Sequence, residues 1–379
     1  MCDLAHGHNA FIAMCDADQT GACRMDGAAG IGSLGPCLAN PQFRYVAYSS
    51  GALNPYLELV TQYGWANYMF QTNQGASFPA HQFLFGATSA PTAVQDAAGV
   101  FAVENPLPLL ATGCTAIAGA TVALIDPSGS RQSVYPCFEH STVVDVLPPP
   151  VTWRYYTPGT AALWAAPIAI QHICQSTGPN GTCNGSQWTN VDPTPADVLT
   201  NIGNCALPSV SWVIPTGADS DHAGMTDGSG PSWVASIVNA IGTSTACDGN
   251  TGYWNNTAIL ITWDDWGGWY DHEPPSILPP PQGDYQYGFR VPLLVVSAYT
   301  PAGYIDNTRH DFGSIVRFIE HNFGIPEGVL NFADARASDN LGGFFRLNGT
   351  PRRFQVINAP LNADFFLNDK RPLTAPDDD

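Results

Sequence analysis

Residues 259–275 read Ile259-Leu-Ile-Thr-Trp-Asp-Asp-Trp-Gly-Gly-Trp-Tyr-Asp-His-Glu-Pro-Pro275. An apolar, β-branched run from Thr257 to Trp263 stops on two adjacent carboxylates, Asp264 and Asp265, and a diglycine and an Asp271-His272 pair follow. Near-continuous hydrophobicity of this kind predicts a strand buried on both faces, as parallel strands in α/β proteins are. Ligands of open α/β sheets gather beyond the carboxyl ends of strands, so Asp264 and Asp265 would aim hard oxygen donors into a cleft. Neighbouring carboxylates at a buried strand end repel one another unless a cation or a shared proton compensates, which points to a metal. The competing account is a strand-end turn with solvated acids. Gly267 and Gly268 then let the chain turn away sharply.

Outward from this stretch, strand and helix patterns alternate. Val210–Ile214 reads as a short strand. Pro231–Ile241 reads as a helix, with proline in its first turn and Val234, Ile237, Val238 and Ile241 on one face. Another strand is predicted over Val291–Ser297, and a helix from Asp311 that Gly324 ends. Val151–Tyr156 reads as a further strand. The alternation predicts an α/β fold with a mostly parallel central sheet flanked by helices and carrying long loop insertions. No repeat, charge block or linker divides the 379 residues, so a single domain over residues 1–379 is expected, with a frayed end from Thr374 to Asp379.

A formal net charge of −19 argues against nucleic acid or an anionic membrane surface as partner, since both require basic patches. The longest apolar run, Ala116–Ile125, falls well short of the roughly 20 residues that span a bilayer. Ten cysteines without a Cys-x-x-Cys pair indicate an oxidising compartment, and hence a secreted or periplasmic protein, although no signal peptide is visible. Cys174 and Cys183 bracket a turn-rich stretch, and Cys114 and Cys137 a predicted hairpin, so each pair could close a local loop.

Ser77 lies in Gln74-Gly-Ala-Ser-Phe-Pro-Ala-His-Gln82, just ahead of a helix predicted over Phe78–Phe85. Backbone N–H groups and the positive end of the helix dipole would surround a serine there, which suits a hydroxyl that loses a proton and then carries a phosphoryl group. An ordinary helix cap accounts for the same local sequence. Among the histidines, His222 follows Asp221 after a predicted strand, His140 follows Glu139, and His6 and His8 stand near the amino terminus beside Asp3. Trp263, Trp266 and Trp269 would serve either as core or as an aromatic wall for a choline headgroup.

The segment Asp264-Asp265-Trp266-Gly267-Gly268-Trp269-Tyr270-Asp271-His272-Glu273-Pro274-Pro275 resembles a signature of the bacterial phosphoesterase family that includes acid phosphatases and phospholipases C, in the alkaline-phosphatase-like superfamily. Gly288–Ser297 and Asp311–Glu320 resemble further signatures of that family. The resemblance implies an alkaline-phosphatase-like fold and a hydrolase acting on phosphate esters, either phosphomonoesters or phospholipid headgroups. It implies Ser77 as nucleophile, in a Gly-x-Ser-x-Pro context, and Asp264 and Asp265 as ligands of a divalent metal. His6 (with His8 as its rival), His140 and His222 are implied to contact the phosphate, with His222 catalytic and His272 orienting the loop.

The chain also departs from the pattern. Family members begin with a strand ending in a metal-binding Glu-Asn pair that this sequence starts after; Glu104-Asn105 stands in a different context and does not inherit that role. The expectation is therefore a domain truncated at its amino terminus, lacking the first strand, binding metal weakly and turning over slowly. Asp265 is one methylene shorter than the glutamate common there. Two alternatives follow: a catalytically silent secreted binding protein with an incomplete metal site, and a phosphodiesterase or sulfatase on the same fold. Against sulfatase, Ser77-Phe-Pro-Ala-His81 lacks the arginine that class uses.

Overall fold

A computed structural model describes residues 3–31, 33–34, 48–108, 112–159, 163–245, 247, 252–267, 269–278 and 286–376. Its strands are β1 (Asp3–Leu4), β2 (Ser33–Leu34), β3 (Gly64–Met69), β4 (Phe101–Ala102), β5 (Val122–Ile125), β6 (Arg131–Val134), β7 (Trp153–Tyr156), β8 (Val191–Asp192), β9 (Val210–Val213), β10 (Ala258–Thr262), β11 (Leu293–Ser297) and β12 (Tyr304–His310). The helices that position the site are α1 (His8–Cys15), α2 (Asn54–Gln62), α3 (Ser77–Gly86), α4 (Asp197–Gly203), α5 (Gly230–Thr243) and α6 (Phe312–Asn322).

The fold is mixed α/β, but its central sheet is not mostly parallel. That sheet has the order β10-β11-β3-β12; β11 runs antiparallel to both β10 and β3, and only β3 and β12 pair in parallel. A parallel return from β10 to β11 needs a crossover, usually a helix. The connection between them has no helix among its described residues, and the chain comes back in the opposite sense. Because β10 and β3 are both antiparallel to β11, they share a direction, as does β12, so the carboxyl ends of all three lie on one edge. Entirely parallel pairing occurs instead in a second sheet, β8-β7-β9. The antiparallel β4-β5-β6 sheet forms no strand pair with either, and packs Phe101, Ala102, Val122 and Leu124 into the main core.

Burial corrects the sequence expectation in the same place. All five residues of β11 are buried, whereas all five of β10 are only half-buried. β10 has β11 on one side and no described strand on the other, so one flank of an apolar Ala-Ile-Leu-Ile-Thr strand lacks a hydrogen-bonded neighbour. β9 is an edge strand too. Its neighbours Trp212 and Ile214 pack with Leu260 against the main core, while Val213 and Ile259 pack with Tyr156, Trp233 and Ile241. The two sheets thus share a hydrophobic layer on each face. α5 ties them together: Ala235 and Val238 meet Leu294 and Val296 of the central sheet, and Trp233 and Ile241 meet Tyr156 of the parallel one.

α3 lies inside the molecule, with nine of its ten residues buried, which is why no polar face interrupts Phe78, Phe83 and Phe85. Disulfides join Cys114 to Cys137 across the β5–β6 hairpin and Cys174 to Cys183, as the loop argument anticipated; Cys15–Cys23 and Cys205–Cys247 are further bridges. Cys2 and Cys37 lie outside the described residues. The carboxyl end does not fray at Thr374. Gly217 N–H donates to the Thr374 carbonyl and Ser220 Oγ to that of Pro376, so this segment is docked on the turn before His222.

Asp311, fully buried just before α6, accepts a 3.0 Å hydrogen bond from Thr72 Oγ. Burial pushes its carboxyl up from 3.8 to about 6. A group that holds its proton more tightly when folded makes stability greatest below its unfolded pKa, and that contribution is lost as pH rises through its folded value. Between pH 4 and 7 the wild-type unfolding free energy should fall more than that of Asp311→Asn, by on the order of 2 kcal/mol, in urea titrations at the two pH values.

Candidate active site

β3 ends at Met69, and the chain passes along the sheet edge to enter α3. Ala76, in extended conformation, is the cap residue, so Ser77 is the first helical residue rather than the cap. Its side chain is therefore released from capping and reaches across to the end of β10, where Ser77 Oγ donates to Asp265 Oδ2 at 2.9 Å. Both residues are buried, at 2% and 3% exposure. The other Asp265 oxygen accepts the Gly267 N–H at 2.6 Å, which closes the turn after the strand. Gly267 has φ +43°, and a Cβ there would stand 3.2 Å from His222 Cδ2 and 3.8 Å from Asp265 Oδ1. Glycine is what lets the histidine loop and the aspartate loop meet.

Asp264 points to a different partner. Its Oδ2 lies 3.2 Å from His81 Nε2, and His81 Nδ1 lies 3.0 Å from the Tyr155 hydroxyl. Tyr155 donates its proton to the Trp164 carbonyl at 2.5 Å, so the hydroxyl can only accept from His81. His81 Nδ1 is thus the donor to Tyr155, and Nε2 faces the Asp264 carboxylate. This contact eases the repulsion that the adjacent carboxylates would otherwise feel. Burial pushes the Tyr155 hydroxyl far up, which keeps it a neutral member of the chain.

His222 comes from the loop after β9, held to the aspartate loop by Ala223 N–H donating to the Gly267 carbonyl. His6, from the segment after β1, packs its ring 5.1 Å from that of His222 and 5.9 Å from Trp266. His8 turns elsewhere, with Nδ1 2.7 Å from the Gln74 carbonyl, and so braces the loop before Ser77. Asp221, beside His222, accepts from the Tyr56 hydroxyl at 2.6 Å, and burial raises its carboxyl to about 6. Ser77, Asp264, Asp265, His222 and His6 therefore converge.

His140 does not join them. A Cβ on Gly86 would meet His140 Cε1 at 2.9 Å, so the imidazole sits at the carboxyl end of α3. Ser77 is at the other end of this ten-residue helix, about 13 Å away along its axis. The β-bridge between Thr92 and Glu139 and the fully buried Phe138 pin that stretch in the core, where His140 meets the edge of Phe332 and burial lowers its pKa. His272 is exposed; Asp271 orders the loop instead, pairing with Arg290 at 3.1 Å and accepting the Glu273 N–H. Of the tryptophans, Trp266 is buried in the core, and Trp263 and Trp269 are partly buried. Trp266 stacks on Phe289 at 4.1 Å, Trp263 packs into two clusters, and Trp269 Nε1 donates to the Asp221 carbonyl.

Sequence reasoning passed over His81, although its position four residues after Ser77 puts both on one helix face. Tyr155 and Asn105 carried no such signal. Asn105 Oδ1 accepts the Phe78 N–H at 2.9 Å, so the Glu104-Asn105 pair supports the start of α3. Two carboxylates and a serine hydroxyl form a hard-oxygen set that suits a divalent cation in composition. Among the described residues, however, the His and Asp side chains that bring three donor atoms within 4.8 Å of one another are Asp3, His6 and His222.

Residues 40–326 match the family model described as "Phosphoesterase family". The chain is similar to a protein named non-hemolytic phospholipase C from Pseudomonas aeruginosa, with 27% identity over 60% of this chain and 36% of that protein. It is 29% identical to phospholipase C B of Mycobacterium tuberculosis, over 46% of this chain and 36% of that one. Non-specific phospholipase C1 of Arabidopsis thaliana is 28% identical over 26% and 22% of the respective chains. The chain thus spans about a third of the length of the first two of these relatives. Among solved structures, one titled "Crystal structure of Ps i-CgsB in complex with k-i-k-neocarrahexaose" aligns at TM-score 0.38 and 11% identity over 73% of this chain and 68% of that one, a likeness too loose to assign a fold.

Replacing Gly267 by alanine places a side chain in left-handed backbone and against His222. It should lower stability by about 1–2 kcal/mol, read as a fall in thermal midpoint. The equivalent change at Gly324, whose Cβ would meet nothing within 4 Å, should cost only the backbone part.

Proposed function

We propose a function from one premise: this chain belongs to the Phosphoesterase family. Its reaction is hydrolysis of a phosphate ester, and the names of its relatives favour a phospholipase C-like substrate, the phosphodiester between a lipid and its headgroup. The observation that carries this reading is the hydrogen bond from the buried Ser77 hydroxyl, at the amino-terminal end of α3, to Asp265.

In this mechanism Asp265 Oδ2 holds the Ser77 proton and turns the oxygen lone pair toward the substrate. Ser77 Oγ attacks phosphorus as its proton passes to Asp265, the phosphorus–oxygen bond to the lipid breaks, the lipid oxygen takes up a proton and leaves as the alcohol, and the serine carries the phosphorylated headgroup; water then attacks that phosphorus, giving one proton back to Ser77 Oγ and releasing the headgroup phosphate. The positive end of the α3 dipole favours the charge on the phosphoryl oxygens. His222 and His6 form the phosphate-facing side, and His81 keeps Asp264 in place. Asp264 and Asp265 would hold the divalent metal expected of this chemistry, and such an ion, when bound, makes the serine hydroxyl more acidic. His140 has no place in this scheme. The four described disulfides fit an oxidising compartment outside the cytoplasm, and no helix among the described residues is long and apolar enough to cross a membrane.

A second reading, a silent binding member of the family, is favoured by one observation. Among the described residues, no three His, Cys, Asp or Glu donors that all lie within 4.8 Å of one another include Asp264 or Asp265. Turnover separates the two readings.

With added divalent metal, Ser77→Ala should lose more than about 1000-fold in rate on an aryl phosphorylcholine while remaining folded by far-ultraviolet circular dichroism, with a thermal midpoint lowered by the loss of the buried hydrogen bond to Asp265. Retained activity would remove Ser77 as nucleophile, and an inactive wild type would favour the silent reading. On the wild type, kcat/KM for an aryl phosphorylcholine should exceed that for an aryl phosphate by at least about tenfold, a difference of about 1.4 kcal/mol in transition-state binding. The opposite order would make the protein a phosphomonoesterase.

A further inference from the structure

His222 sits in the loop of residues 216–229, between β9 and α5. Its neighbour Asp221 has φ +63°, a left-handed backbone that a residue with a side chain leaves unless its surroundings fix it. Two contacts do so at the residue itself: the Tyr56 hydroxyl donates to the Asp221 carboxylate at 2.6 Å, and Trp269 Nε1 donates to its carbonyl at 2.8 Å. The rest of the loop is held by residues 369–376. These lie beyond the 40–326 region that the family model matches, so family membership alone does not account for the contact.

Arg371 reaches both limbs of the loop. Its guanidinium donates to Asp219 Oδ1 at 2.8 Å ahead of His222, and to Asp227 Oδ2 at 2.6 Å and Ser229 Oγ at 3.0 Å behind it. It also donates to Asp369 Oδ2 at 2.7 Å on its own segment. Asp219 is buried, and three carboxylates converging here without a cation would repel one another. Ser229 Oγ lies 2.5 Å from an oxygen of each of Asp219 and Asp227, but its single proton serves one of them at a time. The planar, five-donor fork of arginine bonds all three acids at once. Further along, Gly217 N–H donates to the Thr374 carbonyl at 3.0 Å, and a Cβ on Gly217 would stand 2.3 Å from the Ala375 carbonyl oxygen, so the segment lies directly against the loop. Ser220 Oγ accepts the His222 N–H at 3.1 Å and faces the Gly217 and Pro376 carbonyls at 2.9 and 3.2 Å. One hydroxyl thus links the backbone of His222 to residue 376. The segment has a fixed origin, because Phe366 is buried against Trp233 of α5 with ring centroids 5.1 Å apart.

We propose that Arg371 and the segment 369–376 position His222: by tying Asp219 to Asp227 across the base of the loop, they set where the imidazole stands beside the Gly267 turn. Arg371 is a positioning residue, acting through the loop rather than on a reacting group. Without the guanidinium, repulsion among the three carboxylates and the left-handed backbone at Asp221 both favour an opened loop, and His222 moves away from Gly267. The consequence for hydrolysis rests on the reading of His222 as part of the phosphate-facing side; the positioning of the ring does not.

Two measurements on the full chain test this. In the first, the NMR signals of the histidine rings are compared between wild type and Arg371→Gln, with the His222 signal identified by its loss in His222→Gln. That signal should shift or broaden in Arg371→Gln, while that of His310, buried on β12, stays in place. An unchanged His222 signal would overturn the proposal. In the second, kcat/KM on an aryl phosphorylcholine with added divalent metal should fall at least about tenfold in Arg371→Gln. Arg371→Lys, which keeps the charge without the fork, should recover part of the loss. In the His222→Gln background the same change at Arg371 should have no further effect, because residues that act through one another are not additive. A full second loss there, or an unchanged rate in Arg371→Gln where His222→Gln is impaired, would equally sink the idea. Far-ultraviolet circular dichroism and thermal midpoints show whether Arg371→Gln folds; if it does not, Gly217→Ala, which forces Ala375 off the loop, should give the same pattern. Failure of the His222 reading looks different: His222→Gln would keep the wild-type rate, while the His222 signal would still move in Arg371→Gln.

Discussion

One hydrogen bond, from Ser77 on α3 to Asp265 after β10, organises the centre of this molecule. It joins segments 188 residues apart in sequence, and both of its partners are withdrawn from water. Low exposure strengthens such a contact and also makes its loss expensive, since either group left alone would be a buried polar atom without a partner. The contact is possible because of sheet parity. β3 and β10 are separated by one strand antiparallel to both, so their carboxyl ends emerge on the same edge. β12 shares that direction, and its end supplies Asp311 to the Thr72 hydroxyl. The candidate site therefore lies at the carboxyl ends of strands in a sheet that is not parallel.

Charge compensation is the second constraint. Asp264 and Asp265 follow one another at a strand end, and the protein separates their fates: Asp265 takes hydrogen bonds from Ser77 and Gly267, and Asp264 takes His81. His81 is in turn fixed by Tyr155, and Tyr155 by the Trp164 carbonyl, so a chain of donors runs from the interior of the second sheet to the site. The Trp164 carbonyl takes the Tyr155 proton and so turns the phenol oxygen toward His81, which holds the imidazole beside Asp264. Separately, Asp3, His6 and His222 bring one donor atom each within 4.8 Å of the others.

Much of this was legible in the chain. The strand before Asp264, the proline-started helix at Gly230–Thr243, the strand ending at Ser297 and the helix after Asp311 follow from periodicity and local stop signals. The disulfides Cys114–Cys137 and Cys174–Cys183 could be read because each closes a short loop. Strand direction could not be read from β10 and β11, since an apolar run looks the same whichever way its neighbour points. His140 misled for a similar reason. A Glu-His pair after an apolar residue has the same local appearance at a site as in a core, and only the packing of Phe138 and Gly86 placed it in the core.

The sequence by itself determined the chemical inventory: a hydroxyl entering an apolar helix, two carboxylates and a glycine at the end of a β-branched strand, and a few histidines on loops. These are local properties, dictated by backbone preference and hydrophobic pattern. Which of those groups meet was decided only by the tertiary structure, because proximity between residues far apart in the chain depends on strand order and direction. Sheet parity brought Ser77 to Asp265, helix length carried His140 away, and the turn at Gly267 admitted His222. Local sequence encodes none of these, since each is a property of how whole elements pack.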